Sequence, residues 1–172
     1  MKVTHFCTYS VGGAAIAAIR LHRLLLLKGI ESRLVFLYKN ECNEPETYDF
    51  RDSLSVLNSF NLKLSNKILL SNQIKKLNSF GTPPEYFSFP ETVWDISKHP
   101  FIKDSNIIHL HWVANFFDYR SLTNENLKNK KIVWTLHDMQ PFSGGFHYNN
   151  WFDTKAWENI VDKNKAQIAQ YN

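Results

Sequence analysis

Residues 2–38 read KVTHFCTYSVGGAAIAAIRLHRLLLLKGIESRLVFLY. Lys2 to Thr8 is β-prone and runs into Tyr9-Ser10-Val11-Gly12-Gly13. Ala14 to Lys28 consists almost throughout of helix formers and is closed by Gly29. Ile30 to Tyr38 then carries a second strand over Arg33-Leu34-Val35-Phe36-Leu37, so the stretch is one β-α-β unit. Its helix is apolar on most faces, which predicts packing between a sheet and another layer.

Lys39 to Phe50 reads as a loop because of its Asn, Glu, Cys and Pro content, and Leu54, Leu57, Leu64, Ile68, Leu69 and Leu77 then recur at helix-like spacing. One or two helices are expected there. Gly81-Thr82-Pro83-Pro84 breaks them, and the chain to Pro100 reads as irregular. Asn106–Trp112 predicts a strand, Ser121–Lys128 a short helix and Lys131–His137 another strand; Phe152–Asn172 is polar and helical in character. No internal repeat is visible. Strands alternating with helices predict an α/β fold, a Rossmann-like parallel sheet with helices on both faces. The strand C-termini then share one edge, and ligands bind there.

The chain has 172 residues, 44% hydrophobic and 15% aromatic, which excludes disordered, collagen-like and low-complexity classes. That length suits one domain and is too short for a two-domain enzyme; its core needs no disulfide or metal staple. A net charge of +4 is far too weak for a nucleic-acid footprint. Arg20, His22 and Arg23 interrupt the apolar run Val11–Leu27, so it is not a membrane span. Polar Thr4, His5, Thr8, Tyr9 and Ser10 occupy the place of a signal-peptide core, so the cytoplasm is expected. Cys7 and Cys42 lack Cys-x-x-Cys spacing and read as reduced thiols, with a disulfide between them left open.

Four features fall at the predicted edge. The period-2 rule puts Ile107, His109 and His111 on one strand face and Ile108, Leu110 and Trp112 on the other; His109 reads as a satisfied core histidine. The next strand ends in His137, followed at once by Asp138, where such sheets hold ligands. Gly12-Gly13 forms a turn through which backbone N–H groups and a helix N-terminus can approach a phosphate, although neither Gly-x-Gly-x-x-Gly nor Gly-Lys-Ser/Thr is present. Pro141-Phe142-Ser143-Gly144-Gly145-Phe146-His147-Tyr148 forms a loop over the same edge. His109, His111 and His137 could also supply a zinc hydrolase, a competing reading. Nucleophilic catalysis has no Gly-x-Ser-x-Gly to rest on. The basic residues Arg20, Arg23, Lys28, Lys63, Lys67, Lys75 and Lys76 read as a solvated face, with contact to anionic lipid as the alternative.

Gly12-Gly13-Ala14, Gly29-Ile30-Glu31-Ser32, Ile107-Ile108-His109-Leu110-His111-Trp112-Val113, and Val133-Trp134-Thr135-Leu136-His137-Asp138-Met139 followed by the Pro141–Tyr148 loop resemble the N-terminal half of family 4 glycosyltransferases. The branch most similar builds bacterial cell-surface polysaccharides of the colanic-acid type. The resemblance runs in order from Met1 to about Trp151. It implies residues 1–151 as the Rossmann-like acceptor-side domain of a GT-B enzyme, residues 152–172 as a helical tail, and a C-terminal nucleotide-sugar domain outside these 172 residues. It implies transfer of a sugar from a nucleotide-sugar donor to a glycan or lipid-linked acceptor, with retention and without cofactor or obligatory metal; the expected location is the cytoplasm, with peripheral contact at the inner face of the cell membrane as the alternative. By resemblance, Gly12 and Gly13 face the donor diphosphate, His137 contacts the transferred sugar with Asp138 beside it, and His111, Trp112, Gly144, Gly145 and His147 shape the sugar or acceptor side.

The chain departs from the branch in three ways. Phe146 replaces the cysteine of Gly-Gly-Cys-His-Tyr, Gln140 replaces a frequent tryptophan, and the paired glutamates and basic residues of the C-terminal domain are not among these residues. Leaving-group stabilisation is largely electrostatic, so the domain alone is expected to be slow or inactive. The competing reading from a different class is a non-catalytic carbohydrate- or acceptor-binding module.

Overall fold

The computed structural model describes residues 1–79 and 85–148. The Gly81–Pro84 break and the 152–172 tail lie outside the described residues. Five strands form one all-parallel sheet: β1 (Lys2–Tyr9), β2 (Glu31–Tyr38), β3 (Thr47–Asp49), β4 (Ile107–Leu110) and β5 (Lys131–Trp134), in the order β3-β2-β1-β4-β5. The helices are α1 (Gly13–Leu27), α2 (Val56–Ser79) and α3 (Glu125–Lys128). The fold is therefore α/β and Rossmann-like. The strand order reverses at β1, which places the sheet's switch point between the C-terminal ends of β1 and β4.

α1 covers one face with small residues. Ala15 and Ala18 are fully buried against Cys7, Leu34 and Phe36, and the short side chains let the helix lie close to the sheet. It ends where Gly29, at φ 72°, donates to the Leu26 carbonyl while Ile30 donates to that of Leu25, the paired closure that needs a left-handed residue. The other face is the aromatic one. Phe6, Val35, Leu37, Ile108 and Leu110 pack there against Phe50, Trp94, Ile96, Phe116, Tyr119 and Leu127. Each such buried side chain contributes about 1.5–3 kcal/mol, so this face holds most of the hydrophobic stabilisation. Apart from Leu127 of α3 and the edge of α2 at Leu62, its cover is short 3₁₀ turns and loops rather than long helices.

Two expectations change, and a third narrows to one of its alternatives. The predicted loop 39–50 contains β3, which extends the sheet beside β2; three residues are too few to show periodicity. Residues 56–79 form a single helix. Finally, β4 and β5 end at Leu110 and Trp134, short of the predicted Trp112 and His137. With the strand over, alternation no longer holds, and Trp112 packs on the α1 side, with Tyr9 and Cys7 rather than with Ile108 and Leu110.

Candidate functional site

A cleft of about 300 Å³ opens at the switch point, lined by Cys7, Tyr9, Val11, Gly12, Gly13, Ala14, Trp112, His137, Asp138 and Tyr148. Its donors come from α1. Gly12 takes φ 91°, no side chain caps the helix, and no acidic residue stands in its first turn. The first N–H groups of α1 are thus left for a ligand, with the positive end of the helix dipole behind them. A Cβ at Gly12 or Gly13 would meet nothing within 4 Å, so a ligand can come close to this backbone.

Asp138 also lines the cleft. Its Oδ2 accepts from the Trp112 indole N–H at 2.5 Å and from His147 Nδ1 at 2.6 Å, and its Oδ1 accepts from the Gln140 amide at 3.0 Å. Burial pushes the carboxyl's pKa up, but the hydrogen bonds and charge of these donors outweigh burial and hold it below the ordinary carboxylate value. Ser88 Oγ lies 2.9 Å from His147 Nε2, so the buried His147 ring is bonded at both nitrogens. Asp138 is therefore an anchor for Trp112 and His147 as well as a wall of the cleft.

His137 stands beside it, half-buried, its pKa lowered mainly by burial and only partly restored by Asp138. Behind it His137 Nε2 meets His111 Nδ1 at 3.4 Å, and His111 Nε2 meets His5 Nδ1 at 3.1 Å. His5 and His111 are buried, and burial depresses their pKa values to about 2 and about 3. All three rings are neutral at physiological pH, so the row carries no charge into the core. His109 is buried too, bonded to Thr135 Oγ1 at 2.8 Å, as expected of a satisfied core histidine.

The Gly144–Gly145 loop sits differently from the other candidates. Gly144 and Gly145 take φ 79° and 125°, and Gly145 presses on the Phe87 ring and the Ser88 carbonyl, where a Cβ would lie 2.6 Å from the ring. Phe146 bridges to Phe87, and the His147 amide donates to the Tyr86 carbonyl. These glycines let the loop dock on residues 86–88 and so deliver His147; among the described residues they do not line the cleft. His111 likewise lies behind His137 rather than on the wall.

Sequence reading missed the partner of that loop. Tyr86 stacks near Trp112, which stacks near Tyr9, which stacks near Tyr38, with ring centroids 6.5, 5.8 and 5.5 Å apart and planes within 28° of parallel. This aromatic row runs across the sheet's C-terminal edge, and Tyr9 and Tyr86 are exposed. The alternation Tyr86-Phe87-Ser88-Phe89 was the signal: the buried Phe87 and Phe89 point one way, and exposed Tyr86 the other.

No family model matches this chain, nor does any curated protein or solved structure. Its chemistry is read from the site alone. For zinc, the described histidines that could converge on one ion are His5, His109 and His111, with candidate ligand atoms within 4.8 Å of one another, rather than His109, His111 and His137. All three are buried behind His137, whereas a hydrolytic zinc must keep an open position toward substrate. The histidines thus do not fit a zinc hydrolase. Both cysteines are free and buried.

Proposed function

We propose that the chain is the acceptor-side domain of a GT-B glycosyltransferase of family 4, transferring a sugar from a nucleotide-sugar donor to a glycan or lipid-linked acceptor of a cell-surface polysaccharide. What carries the reading is that two groups line one cleft: the uncapped N-terminus of α1 at Gly12-Gly13 and the neutral ring of His137. The first suits a diphosphate, since backbone N–H groups and the dipole attract anionic oxygens. The second suits a sugar hydroxyl, since a neutral imidazole bonds without placing a competing charge beside the phosphates. Trp112 and Tyr9 add flat apolar faces that suit a pyranose ring. Nothing in this set calls for a metal ion, and binding that survives a chelator is expected.

No Lys or Arg is among the described residues that line the cleft, so in this reading the cations that neutralise a leaving nucleotide come from the C-terminal domain. The test is a sugar-transfer assay on a polypeptide spanning both domains, with a panel of radiolabelled nucleotide sugars and lipid-linked glycans. Turnover with at least one donor is expected, lowered about 10²–10³-fold by His137→Ala. Absence of turnover with every donor overturns the reading.

The aromatic row favours one second reading, a carbohydrate-binding module without catalysis. Calorimetry with acceptor glycans separates the two. A module binds its glycan equally well after His137→Ala and gains nothing from a nucleotide diphosphate, whereas the transferase domain loses donor-dependent affinity.

A further inference from the structure

α2 is the longest element among the described residues, 24 residues and about 36 Å, and it is apolar on two faces. Its inward face is accounted for. Leu62 packs on the aromatic core, Gln73 is buried and donates to the Glu91 carbonyl, and Leu77 packs on Phe87, Phe89 and Phe146. Among the described residues, nothing covers the outward face. Leu57, Phe60, Leu64 and Ile68 recur at helical spacing and are 78%, 66%, 52% and 55% exposed, with Val56 and Ile74 open beside them.

The charges on the helix select what covers that face. Lys63, Lys67, Lys75 and Lys76 lie within α2, and Val56–Ser79 contains no Asp or Glu. Lys76 is held over the Phe89 ring at 5.0 Å; Lys63, Lys67 and Lys75 are exposed. On a helical wheel Lys67 and Lys63 fall beside Phe60 and Val56, on the side away from Leu62 and Gln73. A second copy of α2 would bring lysine against lysine with no acid on either helix, so self-pairing is disfavoured. A bilayer bearing anionic lipid satisfies both features: Phe and Leu side chains enter the interface while the lysine stems run up to the headgroups.

We propose that α2 is an interfacial helix that holds the protein on anionic bilayers through Leu57, Phe60, Leu64 and Ile68, with Lys63 and Lys67 as its headgroup contacts. Of the basic residues on α1, Arg23 is already paired with Glu44. Leu77 at the far end of α2 packs on the cluster containing Phe146, next to His147, so the helix sets the loop of the candidate site beside the membrane surface. The proposal stands independently of any sugar-transfer activity.

The test is co-sedimentation of the full chain with vesicles of phosphatidylcholine, with and without phosphatidylglycerol. Binding is expected only to the anionic vesicles and is expected to fade with added salt. Lys63→Gln with Lys67→Gln is expected to weaken it about 25-fold, at about five-fold per lysine. Phe60→Ser with Leu64→Ser is expected to abolish it while leaving the far-ultraviolet circular dichroism unchanged. A Phe60→Cys variant carrying an environment-sensitive dye gives a second readout, because Cys7 and Cys42 are buried. Its emission is expected to shift blue on anionic vesicles alone. The proposal is overturned if neutral vesicles bind equally well, or if neither double variant matters. It is also overturned if the dye is already shielded without lipid, or if light scattering shows a dimer that Phe60→Ser with Leu64→Ser dissolves; either outcome would mean that protein covers this face.

Discussion

Trp112 and Asp138 follow β4 and β5 respectively, 26 residues apart in the chain, and meet at 2.5 Å through the indole N–H and Oδ2. Because His147 donates to the same oxygen, one carboxylate ties together three segments that share no strand. Asp138→Asn replaces an acceptor-only group by one that must also place two donors. A loss of about 1–3 kcal/mol is expected, read as a lower denaturation midpoint at unchanged slope. The pH dependence has a definite sign. The folded pKa of Asp138 is depressed, so its contribution is complete above the ordinary carboxylate value and is lost as pH falls through the depressed one. Asp138→Asn should flatten that acid limb; an unaltered limb would contradict the assignment.

His5, His111 and His99 are kept neutral by burial, with pKa values of about 2, 3 and 4 against an ordinary 6.5. The unfolded chain therefore binds more protons than the folded one from pH 6.5 down to about 4. Stability should fall as the pH drops through that window, by about 1 kcal/mol per pH unit for each ring. The histidine contribution should be level above pH 7. Urea titrations at successive pH values measure the slope, and His99→Gln should remove about a third of it.

Gly145 and Gly13 should respond oppositely to alanine. At Gly145 the added Cβ collides with Phe87 and the Ser88 carbonyl at a φ of 125°, so Gly145→Ala should cost about 1–3 kcal/mol and loosen the His147 loop. At Gly13, helical and in open space, alanine should be neutral or stabilising by about 0.5–1 kcal/mol. Thermal melts of the two variants decide it, and equal shifts would refute the contrast.

The row His5–His111–His137 should carry one set of tautomers. His5 Nε2 is buried without a partner, and an unmet buried N–H is rarer and costlier than an unmet acceptor. The proton of His5 therefore belongs on Nδ1, donating to His111; His111 then donates from its own Nδ1, and His137 keeps its proton on Nδ1. Nitrogen-15 correlation spectra of the imidazoles should show all three as Nδ1–H at pH 7. His5→Phe should release His137 toward the Nε2–H form favoured in water, and no change at His137 would mean the rings are uncoupled.

The β-α-β unit could be read from residues 2–38 because strand, glycine turn and helix are local there. The positions of Gly12, His137 and Asp138 at one edge followed from parallel topology alone. What stayed hidden was non-local. β3 is stabilised by pairing with β2, not by its own three residues. His5 looked like any β-prone strand residue until register set it against His109. The docking of Gly145 on Phe87 depends on a contact 58 residues away, with no periodic trace of its own. Trp112 lies on the face opposite to the one alternation predicts, because β4 ends two residues before it.

His22 accepts from Ser32 Oγ at 2.7 Å through Nδ1 and donates to the Pro45 carbonyl at 2.8 Å through Nε2. It thereby bolts the rear of α1 to β2 and to the loop before β3. A helix clamped behind and running about 22 Å as a stiff rod transmits that clamp to its front. The aim of the Gly12 turn is then set from below the sheet, so a ligand arriving there meets a fixed socket instead of a loop that it must first organise.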